Sequence, residues 1–527
     1  MAFPPVARLS RAENEVSRVT RSTQRVEESQ ETFVSHLERQ ATVARLSKAE
    51  IERPTTIAIS QNSPLEPQRS GDRQPKAARR ASAANQRQAT RKPRVLIIAE
   101  AANPALTSAA LVGWACARAI AAEVDAHIVT EWRNRDDFLR AGLVEGKDFT
   151  AINNRRLQHL SWSLTNKLSG KGNFSWSLYA MLSNLAYPFF ERKLWKQFGP
   201  RLRAGEFDVV HRILPLSPTT PSWIAPKLKK IGIPFMLGPL NGGVPWPKGF
   251  EDLRRNERDF AGKFRWLHKL SPGLRSTRTC SSTILAASRT TLNELPEAVK
   301  SRSVFIPENA IDLAKFPLTP REVSKTASDA PLRLSFVGRL VALKGIDMLL
   351  EAAAPLLRSG GATLDLIGDG PERGRLSQWI KKEGLGHAVR MDGWIDHAKL
   401  GDRLRESDLF VFPSIREFGG GAVLEAMALG IPPVVLDHGG PPELVPPGTG
   451  FVLPMTTRED IVSRLRDLLI TAAADRRSLA EAGQRAQQHV REFFTWEAKA
   501  KQIAEVYAWL LHRRDTKPQW GTPMGCK

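Results

Sequence analysis

Two α/β domains, each a doubly wound Rossmann-like parallel sheet, facing one another across a cleft, are what this sequence predicts. Three observations predict them. Short apolar runs alternate with helical stretches, which is the pattern of parallel strands and their crossover helices. The alternation comes in two series, divided by a linker-like segment at 317–331. Several of the apolar runs end in glycine-rich turns, and in open α/β sheets ligands bind beyond the carboxyl ends of the strands.

In chain order, residues 1–92 read as a basic N-terminal extension. Its second half, 54–92, is rich in Gln, Ser, Ala, Pro and Arg and has almost no large apolar residues, so disorder is expected there. In the first half, Leu9, Val16, Val19, Val26, Phe33 and Leu37 fall near heptad positions, interrupted by Thr23, Gln30 and Gln40. A short coiled coil, a fraying basic helix and plain disorder all remain open for it. Order begins at Arg94-Val-Leu-Ile-Ile-Ala99, a buried parallel strand by composition. A helix over 109–122 and a strand over 126–130 follow, with further strands at 207–210, 234–237, 283–287 and 304–306. This first domain is set at 93–316. The second, at 317–490, has strands at 332–337, 363–367, 389–391, 409–412 and 433–436, with helices at 345–357 and 372–383. A helix within 491–512 then returns to the first domain, and 513–527 is a tail.

Composition narrows the function. The formal charge is +22, which suits nucleic acid, an anionic membrane or anionic substrates. No homeodomain, zinc-finger or RNA-recognition pattern is present, which disfavours nucleic acid and leaves an anionic leaflet or a phosphate-bearing substrate. Cys116, Cys280 and Cys526 lie far apart and make neither a metal pattern nor a disulfide framework. There is no apolar core of signal-peptide length and no run of ~18 apolar residues. The expected location is cytoplasmic, with peripheral contact at the inner face of the membrane. The aromatic stretch 174–195, beside Lys193 and Lys196, reads either as a membrane-interface segment or as the buried face of first-domain helices.

Three motifs carry chemistry. Phe336-Val-Gly-Arg-Leu-Val-Ala-Leu-Lys-Gly345 follows the first strand of the second domain. Gly338 lets the chain turn, and Arg339 and Lys344 bring a fork and a compact charge suited to a diphosphate. Pro413-Ser-Ile-Arg-Glu-Phe-Gly-Gly-Gly-Ala-Val-Leu-Glu425 places a glycine triplet, Gly419, Gly420 and Gly421, between a strand and a helix. Helix-start amides attract anions, and glycines let a ligand approach the backbone. Glu417 and Glu425 flank that turn. Asp392-Gly393-Trp394-Ile395-Asp396 ends another strand.

These segments resemble the donor-site motifs of retaining GT-B glycosyltransferases of the family 4 type, over roughly residues 93–512. The resemblance implies that Arg339 and Lys344 hold a donor diphosphate, that Glu417 approaches the transferred sugar and that Glu425 binds the nucleotide ribose. It implies that the backbone of Gly393, Trp394 and Ile395 borders the base, although Trp394 also suits an ordinary core position. His211, at a strand end in Asp208-Val-Val-His-Arg212, would reach the cleft as a catalytic group. The rigid segment Gly238-Pro-Leu-Asn-Gly-Gly-Val-Pro-Trp-Pro247 looks like one found in exopolysaccharide-type transferases. It nominates Asn241, Gly242 and Gly243 for the acceptor side. The Gly-Asp-Gly-Pro loop at 368–371 looks mainly structural. One departure stands out: the family's usual Phe two residues after the first glutamate is Gly419 here, so the sugar-facing contacts are open. The first strand's loop, Glu100-Ala-Ala-Asn-Pro-Ala-Leu-Thr-Ser-Ala-Ala110, also lacks the family's usual glycines.

The expected reaction moves a sugar from a nucleotide-sugar donor to a glycan or polyprenyl-linked acceptor with retention, in polysaccharide biosynthesis. No D-x-D sequence is present, so no metal on the diphosphate and no other cofactor is expected. The competing readings are a sugar phosphorylase, a two-carboxylate hydrolase and a catalytically silent scaffold of the same fold.

Overall fold

The apolar runs pair into two parallel sheets. The computed structural model describes residues 91–106, 109–154, 176–213, 220–242, 244–256, 272–318 and 330–520, leaving aside the side chains of 176–186 and 397–398. The proposed coiled coil and disordered stretch within 1–90 therefore lie outside the described residues, as does Phe174. Residues Lys92–Lys527 form one compact unit.

The first sheet has seven strands in the order β3-β2-β1-β4-β5-β6-β7. They are β1 (Arg94–Ile98), β2 (Asp125–Glu131), β3 (Phe149–Ile152), β4 (Val209–Arg212), β5 (Phe235–Leu240), β6 (Thr283–Ala286) and β7 (Val304–Phe305). The second has six, β10-β9-β8-β11-β12-β13: β8 (Leu332–Val337), β9 (Ala362–Ile367), β10 (Val389–Gly393), β11 (Leu409–Phe412), β12 (Pro433–Leu436) and β13 (Phe451–Leu453). The order jumps from β1 to β4 and from β8 to β11. At such a switch the helices leave to opposite faces and a crevice opens beyond the strand ends.

Strands β1, β5, β11 and β12 are largely apolar without alternation because helices cover both faces. Two core clusters flank the first sheet. One side of β1, Val95 and Ile97, packs with Ile503, Val506 and Tyr507 of the helix Trp496–Leu510. The other side, Leu96 and Ile98, packs with Tyr187, Phe190, Leu194 and Phe198 of the helix Trp176–Arg203. Tyr187 and Phe190 are thus core residues, while Phe189 is half exposed. Among the described residues no helix is long and apolar enough to cross a membrane. The helix Trp496–Leu510 follows the second sheet in the chain and packs on the first. Its entry is pinned where the amide of Ile311 donates to Phe494 O at 2.7 Å.

Candidate active site

The donor-side motifs meet because their loops are bonded backbone to backbone. Beyond β8, the amides of Gly338 and Leu340 donate to Ile367 O and Asp369 O, each at 3.0 Å. This close approach is what Gly368 and Gly370 permit. A Cβ on Gly368, whose φ is +136°, would sit 2.0 Å from Gly338 O, and one on Gly370 would sit 2.4 Å from Leu340 O. A second clasp joins the turn ahead of Gly345 to the segment after β11. The amide of Ile415 donates to Leu343 O at 2.9 Å.

These clasps bring Lys344 and Glu417 together. Lys344 Nζ donates to Glu417 Oε2, and its ammonium stands 4.8 Å from the centre of the Phe412 ring. The amide of Phe418 donates to Glu417 Oε1 at 3.0 Å. Burial pushes this carboxyl up, but Lys344 and the amides of Phe418 and Gly419 outweigh it, so it lies below its ordinary range. Arg339 is exposed, on the same loop as Lys344. Gly420, with φ +68°, caps the helix Gly421–Ala428, which carries Glu425 half-buried. Gly393 is buried at the end of β10, and its carbonyl accepts the Gly368 amide at 2.7 Å. Ile395 packs on the core, whereas Trp394 is 77% exposed and is no core residue.

The first domain closes on this site through contacts that the sequence reading missed. Arg416 Nε donates to Val244 O at 3.0 Å. Its guanidinium stands over the rings of Trp246 and Phe418, at 5.1 and 5.4 Å. His438 Nε2 donates to Pro245 O at 2.9 Å. The amide of Arg289 donates to Glu443 Oε1 at 2.7 Å. Burial pushes Glu443 up to about 7, with the Arg289 amide and charge working against it.

Glu308, on the segment after β7, was also missed. Asn241 Nδ2 donates to Glu308 Oε1. Burial pushes Glu308 up to about 7, the Asn241 amide opposes this, and the charge of Glu417 adds to it. A signal existed for two of the missed sites. Pro307-Glu-Asn309 and His438-Gly-Gly-Pro-Pro-Glu443 both follow strands, as the recognised motifs do.

Of the residues nominated for the acceptor side, Gly242 O accepts the Thr291 hydroxyl at 2.7 Å, and Gly243 lies outside the described residues. The expectation that His211 reaches into the cleft needs correction. Its side chain is fully buried. Nε2 donates to Gly238 O at 2.8 Å, which leaves Nδ1 to accept the Tyr507 hydroxyl at 2.7 Å. Burial pushes the imidazole down to about 3. Both nitrogens are thus engaged, Nδ1 tying β4 to the last helix and Nε2 tying it to β5. At the end of the same strand Arg212 pairs with Glu100 at 3.1 Å and stands 3.6 Å over the Tyr187 ring.

Comparison with known proteins agrees with this geometry. The family model described as Glycosyl transferases group 1 matches residues 321–486. A putative colanic acid biosynthesis glycosyltransferase, WcaL, of Salmonella typhimurium is 30% identical over 38% of this chain and 50% of its own length. A glycogen synthase of Mycobacterium tuberculosis is 32% identical over 42% of this chain and 52% of its own. The chain therefore spans about half the length of these curated relatives. Among solved structures, Anabaena HepE in complex with UDP superposes with a TM-score of 0.53 at 17% identity, covering 79% of this chain and 99% of that one. Sucrose-phosphate synthase from Thermosynechococcus elongatus gives 0.50 at 18%, covering 80% and 100%. Residues 321–486 match the glycosyl transferases group 1 family, and the chain as a whole shares the fold of these solved structures.

Proposed function

We propose that this chain transfers a sugar from a nucleotide-sugar donor to a glycan or polyprenyl-linked acceptor in polysaccharide biosynthesis, with retention. The observation that carries the reading is the meeting of Lys344, Glu417 and the Gly419–Gly421 turn at the strand ends of the group 1 domain. In this reading Arg339 and Lys344 hold the diphosphate, and the amides opening the helix at Gly421 face it. Preorganised charge of this kind stabilises the departing group as its bond to the sugar breaks. Glu417 holds the transferred sugar, Glu425 the ribose, and the loop Gly393, Trp394 and Ile395 the base. The acceptor hydroxyl bonds to the anomeric carbon on the face the diphosphate leaves, and the hydroxyl proton passes to the departing phosphate oxygen. Asn241, Gly242 and Gly243 border the acceptor. No metal or other cofactor is needed in this scheme.

The donor class is supported by HepE, which was solved with UDP and with UDP-glucose. The glycan class is supported by WcaL. A polyprenyl acceptor and the +22 charge favour work at the cytoplasmic face of an anionic membrane. The test is calorimetric binding of UDP, GDP, ADP and their sugar conjugates to the full chain, with Glu425→Ala as control. One nucleotide class should bind selectively, and the variant should lose it. No binding by a well-folded wild-type protein would overturn the reading and favour a silent scaffold.

A further inference from the structure

Glu308 belongs to neither recognised motif, yet it stands where three pieces of the protein meet. The first-domain loop supplies Asn241, the connecting segment supplies Glu308 and Asn309, and the second domain supplies the glycine turn. Asn241 Nδ2 holds Glu308 Oε1. Asn241 Oδ1 and Glu308 Oε2, each buried, have no hydrogen-bond partner among the described residues. A buried polar atom without a partner is costly and calls for an explanation.

The glycine turn is shaped around this carboxyl. A Cβ on Gly419 would lie 2.9 Å from Glu308 Oε1 and 2.3 Å from Asn309 Nδ2. The Phe that the resembled family usually has here would occupy the same space. In this chain an apolar ring is thus exchanged for a carboxyl and two amides beside Glu417. The other side of the turn is filled by protein as well. A Cβ on Gly440 would lie 2.0 Å from Phe418 O, so the turn cannot retreat to admit a side chain.

Resting on the transferase reading above, we propose that Glu308, held by Asn241, is a specificity-determining residue that binds hydroxyl groups of the transferred sugar. Two linked side chains, each with an oxygen left over, suit the closely spaced hydroxyls of a sugar ring. They offer nothing to an apolar group. Both oxygens are closed to bulk water, so the sugar reaches them as the contacts of Arg416, His438 and Glu443 with the first domain part. Glu308 would then grip the sugar from the hinge side while Glu417 grips it from the donor side.

The experiment separates the sugar from its nucleotide. Calorimetry compares UDP with UDP-glucose, GDP with GDP-mannose and ADP with ADP-glucose on wild type, Glu308→Ala and Glu308→Gln, with melting curves to verify folding. For the nucleotide that wild type binds, Glu308→Ala should leave the bare diphosphate within about twofold and weaken the sugar conjugate about tenfold. Glu308→Gln, which keeps one acceptor, should fall between. Equal weakening of both ligands would show that Glu308 only shapes the turn, and unchanged sugar binding would show that it touches nothing; either overturns the proposal. A wild type that binds none of the six overturns the transferase reading itself, and the proposal with it.

Discussion

Replacing Lys344 by Met removes a cation whose partner stays in place. The Lys344 and Glu417 side chains keep 14% and 21% of their exposure, so the pair is mostly, though not wholly, withdrawn from water. Stripping one partner from a fully buried pair costs ~3–5 kcal/mol, and from an exposed one ~0–1 kcal/mol. Glu417 retains the Phe418 amide, so Lys344→Met should cost ~1–3 kcal/mol at neutral pH. Because Glu417 is held below its reference value of 4.5, the pair's contribution is present above that pH. It fades as pH falls through the folded value. The deficit of Lys344→Met should therefore shrink as pH falls below the reference value of 4.5. Adding Glu417→Gln to the same protein removes the orphaned charge and should return most of the lost stability, while donor binding stays lost. Urea unfolding of wild type, both single variants and the double variant, at neutral and acid pH, measures the coupling; calorimetry on the same samples measures the donor. A Lys344→Met protein as stable as wild type at neutral pH would refute the electrostatic argument. A double variant that binds donor normally would refute the assignment of the site.

Gly368→Ala combines a left-handed φ with a contact of 2.0 Å to backbone, and should cost ~3–5 kcal/mol and disrupt the Arg339 loop. A melting temperature close to wild type would contradict that packing. His211→Leu leaves the Tyr507 hydroxyl and the Gly238 carbonyl without their partner and should cost ~2–4 kcal/mol. A loss of transfer at unchanged melting temperature would instead restore His211 to the chemistry. Glu443, raised to about 7, contributes most to stability below its unfolded value and loses that contribution as pH rises through 7. Glu443→Gln should accordingly gain ~1–2 kcal/mol on wild type between about pH 5 and about pH 8. Melting curves showing a constant difference at both pH values would count against it.

Strands β11 and β12 were legible to the residue because strands covered on both faces are unbroken apolar runs, and β8 was legible although the exposed Arg333 interrupts its apolar residues. Strands β3 and β13 were not. Each is an edge strand of four or three residues, too short for its pattern to stand out. In the site, each loop was readable because a strand, a glycine and a charge lie close in sequence. The pairing of Lys344 with Glu417 was not readable, since those residues are 73 apart and meet only through backbone clasps. His211 shows the same limit more sharply. Its burial depends on Tyr507, 296 residues away, and nothing local distinguishes a strand-end histidine that meets a ligand from one that meets a helix. Glu308 escaped notice because its surroundings come from three segments.

The last helix also sets a timetable for synthesis. Val95 and Ile97 leave the ribosome long before Ile503, Val506 and Tyr507, which pack against them. At ~5–20 residues per second, the 296 residues between His211 and Tyr507 take about 15–60 s to make. Throughout that interval one flank of the first sheet has only part of its apolar cover, from Ala117, Ile120 and Phe138, and His211 lacks the hydroxyl it is buried against. The first domain is thus completed only after the second has been made. A nascent chain arrested before Trp496 should be held by chaperones or aggregate, and the second domain, whose core is local in sequence, should already resist protease.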